Sequence, residues 1–190
     1  IIILFSIRTF IRGNNWKDPL TIDSHDILVS KGDYNLENGL GSDLYKLGKY
    51  NEALYHIEKS ISLNPFWSNY NNLGSVYLAQ GNFEKSKEAY LNALKMSDYY
   101  LIYENLASLT LFTGNNNENI LFLKYIIDKY PQQAKPRVYL AILEYQSGNS
   151  ANAISQITSA IELEQNIEYV HLLNNIKSGL PLNLNYQSGG

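Results

Sequence analysis

The chain repeats itself. The segment LGSDLYKLGKYNEALYHIEKSISLNP, from Leu40 to Pro65, aligns without gaps on LGSVYLAQGNFEKSKEAYLNALKMSD, from Leu73 to Asp98. A third copy, LASLTLFTGNNNENILFLKYIIDKYP, runs from Leu106 to Pro131, and a fourth, LAILEYQSGNSANAISQITSAIELEQ, from Leu140 to Gln165. The small residues Gly41, Gly74, Ala107 and Ala141 therefore recur at steps of 33, 33 and 34, and Gly48, Gly81, Gly114 and Gly148 keep the same steps. A period of this length describes one supersecondary unit that cannot bury its apolar face alone and must stack on copies of itself.

Each unit reads as two helices. In the first, large or apolar residues recur at i, i+3, i+4 and i+7, as in Tyr70, Leu73, Gly74 and Tyr77, then Tyr103, Leu106, Ala107 and Thr110, which makes one continuous stripe. The Gly or Ala inside that stripe removes a side chain where a second helix crosses closely. The later glycine suits the left-handed residue that ends a helix. The second helix answers with Ala53, Ile57 and Ser60, or Ala153, Ile157 and Ala160, small, large and small again. Pro65 and Pro131 stand just beyond second helices, where a missing N–H costs little.

These residues resemble the tetratricopeptide repeat (TPR) over residues 34–167, with four repeats at 34–66, 67–99, 100–133 and 134–167. The resemblance implies an all-α, right-handed superhelix, or α-solenoid, of about four helix-turn-helix repeats. Repeat three departs from the pattern at Asn119, where a small residue is expected, and repeat four at Glu144, where an aromatic is usual; looser packing is expected at both. Residues 168–178, EYVHLLNNIKS, fit a helix that caps the last apolar face, and 179–190 a disordered tail.

A second resemblance concerns the N-terminal part. The stretch IRTFIRGNNWKDPLTIDSHDILVSKGDYNLENGLG, from Ile7 to Gly41, is similar to the junction in polytopic O-mannosyltransferase-type glycosyltransferases that carry C-terminal TPRs, on Arg8, Arg12, Trp16, Lys17 and Asp18. The opening IIILFSIRTFIR is then the end of a transmembrane helix over 1–12 whose start lies upstream, since its first eleven residues rise only roughly 16 Å as a helix. Residues 13–33 form a juxtamembrane linker with a short helix, Asp18 capping it ahead of Pro19. The other reading of the apolar run is a docking helix packed on the first repeat. The resemblance implies an extracytoplasmic array, whereas Arg8, Arg12 and Lys17 after the span point to the cytoplasmic side.

Composition narrows the chemistry. A net charge of -3 and a pI near 5.6 supply no positive field for phosphates, so nucleic acid is not a partner. With no cysteine there is no disulfide framework and no thiol nucleophile. His25, His56 and His171 fall on different elements, so no metal site and no cofactor are expected. No catalytic set is expected either, for there is no Gly-rich phosphate loop and no nucleophile elbow.

What remains is the concave groove that the first helices of such an array form, with a protein or peptide as partner. Opposite the packing stripe, repeat two offers Asn71, Asn72, Ser75 and Leu78, and repeat three Glu104, Asn105, Ser108 and Phe112. An Asn amide donates and accepts, so it can hold the N–H and C=O of an extended peptide. Asn72 and Asn105 resemble two rungs of the asparagine ladder of O-linked N-acetylglucosamine transferase, the matching places being Gly39 in repeat one and Tyr139 in repeat four. Tyr45 and Tyr145 would add flat contacts at either end. Lys46 and Lys135 are too scattered for a carboxylate clamp. Two functions follow: a non-catalytic interaction domain at the C-terminal part of a membrane glycosyltransferase-like protein, or a free-standing soluble TPR adaptor.

Overall fold

The structure is a computed structural model and describes residues 32–114 and 116–182. The expected membrane-helix end at 1–12, most of the linker at 13–33, His25 and residues 183–190 lie outside the described residues. All regular structure among the described residues is helical: α1 (Tyr34–Lys46), α2 (Tyr50–Leu63), α3 (Trp67–Ala79), α4 (Phe83–Met96), α5 (Tyr100–Leu109), α6 (Asn116–Lys129), α7 (Lys135–Gln146), α8 (Ser150–Leu163) and α9 (Ile167–Lys177). No helix among them is long and apolar enough to cross a membrane. They fall into two compact units that meet in sequence between Ser97 and Asp98.

In the first unit α1 packs on α2, α2 on α3, α3 on α4, and the two first helices α1 and α3 lie side by side. The small-large-small pattern of the second helix is the reason. Ala53, Ile57 and Ser60 are fully buried, and Ala53 and Ile57 make the core of the first hairpin and its neighbour with Leu40, Leu44 and Val76. A Cβ on Gly41 would lie 2.5 Å from Ile57 Cγ1, and one on Gly74 2.5 Å from the Tyr90 ring, so at both positions the helices cross on a bare backbone. Gly48 and Gly81 turn the chain at φ +74°. At each, the glycine N–H bonds the carbonyl three residues back and the next N–H the carbonyl five back, which satisfies the last carbonyls of α1 and α3.

The junction of α2 and α3 is fixed by a residue that periodicity does not single out. Asn69, fully buried, donates to Ser60 Oγ at 3.3 Å and the Asn64 carbonyl at 2.9 Å, and accepts from the Phe66 N–H at 3.1 Å. Ser60 in turn donates to the Tyr34 carbonyl at 2.7 Å. Three elements are thereby tied through one amide whose groups are all engaged.

In the second unit α7 packs on α8, α8 on α9, and α7 also on α5 and α6. Ala141, Ala153, Ile157 and Ala160 are fully buried in one cluster with Val138, Ile142, Tyr169 and Ile176. Gly148 turns at φ +84° with the same pair of backbone bonds, to Tyr145 and Glu144.

Repeat three corrects the expectation at Gly114, which does not adopt a positive φ and does not end a helix. The helix α5 stops earlier, at Leu109. Thr110 Oγ1 turns back on the Ala107 carbonyl at 2.6 Å, and the Asn119 amide donates to the carbonyls of Thr110 and Thr113 at 3.0 and 2.9 Å. The amide in the slot that Ala53, Ser86 and Ala153 fill elsewhere thus takes over carbonyls a longer α5 would have left open. Asn119 replaces close helix packing with hydrogen bonds rather than leaving a loose gap. Glu144 is likewise accommodated: it is nearly buried, accepts from Asn149 Nδ2 at 2.9 Å and faces Lys124 at 4.0 Å.

At the C-terminal end α9 closes on Gly179, φ +67°, with N–H bonds from Gly179 to Ile176 and from Leu180 to Asn175. The first residues of the expected loose tail are thus part of an ordered turn. Tyr145 Oη donates to the Leu180 carbonyl at 3.0 Å, and Leu182 packs on the same apolar cluster as Tyr145.

Candidate functional site

The packing that buries Gly74 also builds a pocket that gathers several expected site residues. Between α1 and α3, Ser42, Tyr45, Lys46, Asn72 and Ser75 line a cavity of about 120 Å³. Behind Ser75 stands Tyr90 of α4, whose ring lies against Gly74 and whose hydroxyl sits 3.2 Å from Ser75 Oγ. Burial pushes the Tyr90 phenol up to about 12, so it stays protonated at neutral pH and can donate there. Ser75 Oγ is also 3.2 Å from the Asn71 carbonyl, so its place is fixed from two sides.

Asn72 of the lining is held by an amide relay. Asn72 Nδ2 donates to Asn38 Oδ1 at 3.0 Å, and Asn38 Nδ2 donates to Ser68 Oγ at 3.3 Å. Asn72 is thus oriented by Asn38, the residue before Gly39, which is the position that matches Asn72 in repeat one. Lys46 pairs with Asp43 at 2.8 Å, one turn back on α1, and Tyr45 stacks at 5.9 Å on Tyr50.

Not every expected residue takes part. Asn71 is only 5% exposed and Leu78 only 6%, so neither belongs to an open face; they point into the hairpin because the stripe of α3 is wider than the four-residue pattern suggested. In the second unit Glu104 is held by Lys135 at 2.5 Å, Ser108 Oγ donates to the Asn105 carbonyl at 2.8 Å, Asn105 is half-buried, and Tyr145 is engaged with Leu180. None of those four lines the cavity of the first unit. Gly41 and Gly74 are buried at helix crossings, Ala107 and Ala141 are buried, and Gly48, Gly81 and Gly148 stand at turns.

Two ionic clusters went unread in the sequence. In the first unit Glu37, 1% exposed, receives His56 Nδ1 at 2.7 Å and Lys59 Nζ at 2.5 Å. Burial pushes the Glu37 carboxyl up, but the bonds from His56 and Lys59 outweigh it and hold the group below its ordinary value. In the second, Lys129 Nζ meets Asp98 Oδ1 at 2.5 Å and Tyr103 Oη at 2.8 Å, and lies 4.4 Å from the Tyr103 ring centre, with the Tyr125 and Tyr130 rings at 5.9 and 5.5 Å. The bond from Lys129 holds the Asp98 carboxyl low. Both clusters join the two helices of one repeat. The signal was present as a helix-spaced His56/Lys59 pair across from Glu37, but such pairs are invisible until the hairpin register is known. No group of three or more His, Asp or Glu that could hold a metal occurs among the described residues.

Comparison with known proteins follows this geometry. A sequence profile of the tetratricopeptide repeat matches residues 68–99, the hairpin α3–α4. The chain superimposes on TTC0263, a thermophilic TPR protein of Thermus thermophilus, with a TM-score of 0.71 over 92% of this chain and 96% of that one, at 17% identity. Its fold is the tetratricopeptide-repeat fold. YrrB, described as a TPR protein with an unusual peptide-binding site, gives a TM-score of 0.64 at 14% identity, covering 83% of this chain and 82% of its own. A chain of the APC/C hetero-tetramer Cut9–Hcn1 gives 0.75 at 16% identity, with 87% of this chain on 34% of that one. The sequence finds no match among curated proteins.

Proposed function

We propose that the chain is a non-catalytic TPR interaction domain that binds an extended protein segment across the first helices of repeats one and two. The observation that carries this reading is the cavity between α1 and α3 lined by Ser42, Tyr45, Lys46, Asn72 and Ser75, where Asn72 is pre-set by Asn38 and Ser75 by Tyr90. A pre-ordered amide and hydroxyl lose little freedom when a peptide arrives, so their bonds count more fully toward affinity. YrrB, whose fold this chain shares, is described as having an unusual peptide-binding site, which is in keeping with peptide binding by this fold. The test is selection of peptides on the full chain from a random display library, followed by binding to Asn72→Ala. Loss of affinity with unchanged folding supports the reading, and undiminished binding sinks it.

The parent context is a further part of the proposal. The run IIILFSIRTFIR and the Arg8, Arg12, Trp16, Lys17, Asp18 junction support a domain tethered at a membrane beside a glycosyltransferase-like region; the resemblance favours an extracytoplasmic array, and the charges of Arg8, Arg12 and Lys17 the cytoplasmic alternative. A free-standing soluble adaptor is the other reading, and the same apolar run then docks on the first repeat. Reading the gene upstream of the Ile1 codon decides: several apolar spans of about 20 residues support the first, and a start codon within a few residues supports the second.

A further inference from the structure

The polar groups around the cavity between α1 and α3 are engaged elsewhere in the protein. Ser75 Oγ donates to the Asn71 carbonyl at 3.2 Å and sits 3.2 Å from the Tyr90 hydroxyl. Ser42 holds the same place in repeat one, and its hydroxyl has the carbonyl four residues back within reach in the same way. The Asn72 amide is drawn to Asn38, which is not among the lining residues. Lys46 carries its ammonium to Asp43 at 2.8 Å and is 64% exposed, so what it lends to the cavity is its methylene stem. Tyr45 adds a ring packed on the Leu40, Leu44, Ala53, Ile57 and Val76 cluster. The lining is in consequence mostly apolar, and none of its five residues is fully buried, so a side chain can enter from solvent.

Resting on the peptide-binding reading above, we propose that this cavity is a specificity pocket for a branched aliphatic side chain, Leu or Ile, of the bound segment. Size is the first selector. An apolar cavity of roughly 150 Å³ holds a benzene ring, so one of about 120 Å³ admits the four carbons of Leu or Ile and leaves part of a Phe ring outside. Polarity is the second. An amide or a carboxylate would exchange water for a lining of carbon without gaining a partner, which is unfavourable. The one cation among the lining residues is already paired with Asp43 and largely in solvent, where an ion pair adds little. Alanine leaves the space unfilled. Backbone recognition by Asn72 and side-chain recognition by the pocket are then separate contacts with one segment.

The probes are N-acetyl-leucine methylamide and its alanine, phenylalanine and glutamine counterparts, titrated into the ¹⁵N-labelled full chain. The leucine compound should shift the backbone signals of Ser42, Lys46, Asn72 and Ser75 and bind more tightly than the other three. Over alanine the gain should be at least about tenfold, since a single methylene in an apolar pocket is worth that much. Ser42→Leu, which plugs the cavity, should abolish these shifts at an unchanged melting temperature. Lys46→Ala, which removes the stem, should weaken the leucine compound about threefold, whereas Lys46→Met, which keeps a stem and drops the charge, should bind it as wild type does. Equal binding of leucine and alanine, tightest binding of the glutamine or phenylalanine compound, equal losses in the two Lys46 variants, or shifts away from these residues would overturn the proposal. If library-selected peptides still perturb α1 and α3 in that event, the aliphatic pocket falls and the groove stands; if the leucine compound binds here but no extended peptide does, the groove falls instead.

Discussion

Single side chains decide how the two irregular places in this chain fold. Asn119 Nδ2 donates to the carbonyls of Thr110 and Thr113, so Asn119→Ala, although it restores the small residue of the pattern, should destabilise the second unit by about 1–2 kcal/mol in urea unfolding; a stabilised variant would mean close packing governs there after all. Glu37 is the clearest pH-dependent residue. Its carboxyl is depressed in the folded chain, so the stability it contributes is present above the ordinary carboxyl value of 4.5 and is lost as pH falls through the lower folded value. Glu37→Gln should cost about 2 kcal/mol near pH 7, given charge-assisted bonds to half-exposed partners, and should flatten the acid limb of the stability profile. Equal acid sensitivity in both proteins would show that another carboxylate is responsible. Asn119 and Glu144 were both visible in the sequence as departures from the repeat, but what an amide or a buried carboxylate does depends on carbonyls and cations brought over from another helix.

The helical hairpin is the level at which sequence was most informative. Small residues at Gly41 and Gly74 and the Ala53, Ile57, Ser60 pattern identify the crossing faces because close approach admits no other side chains. Three of the four repeat glycines also do what their spacing implies, and the fourth does not. This contrast is testable by one substitution at each. Gly48→Ala, Gly81→Ala and Gly148→Ala place a Cβ at φ +74°, +74° and +84° and should each cost about 1 kcal/mol. Gly114→Ala, at no positive φ and with nothing within 4 Å of the added Cβ, should be neutral or stabilise by roughly 0.5 kcal/mol through the unfolded chain. Thermal melts of the four variants check it, and a uniform loss would contradict the early end of α5. Gly74→Ala differs in kind: its Cβ meets the Tyr90 ring at 2.5 Å, so overpacking of about 1–3 kcal/mol is expected, together with displacement of Ser75.

At the scale of the whole molecule, four aligned copies were enough to assign the fold, because a 33-residue period with paired helix stripes has few physical solutions. The binding surface was legible only in part. Asn72 and Ser75, read from the face opposite the stripe, and Tyr45, expected as a flat contact at one end, do meet in one cavity, whereas Asn71 was placed on that face and is buried, and Asn38 and Ser42 were passed over. The reason is geometric: a one-residue step turns a helix by about 100°, so a face inferred from four positions is uncertain by one side chain at each edge, and the cross-helix partner that orients an amide is not encoded locally. The claim that joins these scales is that repeats one and two hold an extended segment through Asn72. Fluorescence anisotropy with a library-selected peptide tests it most directly: Asn72→Ala should weaken binding by about 1 kcal/mol, near fivefold, with an unchanged melting temperature. Binding as tight as wild type would contradict it, and a lowered melting temperature would show that Asn72 serves the fold instead.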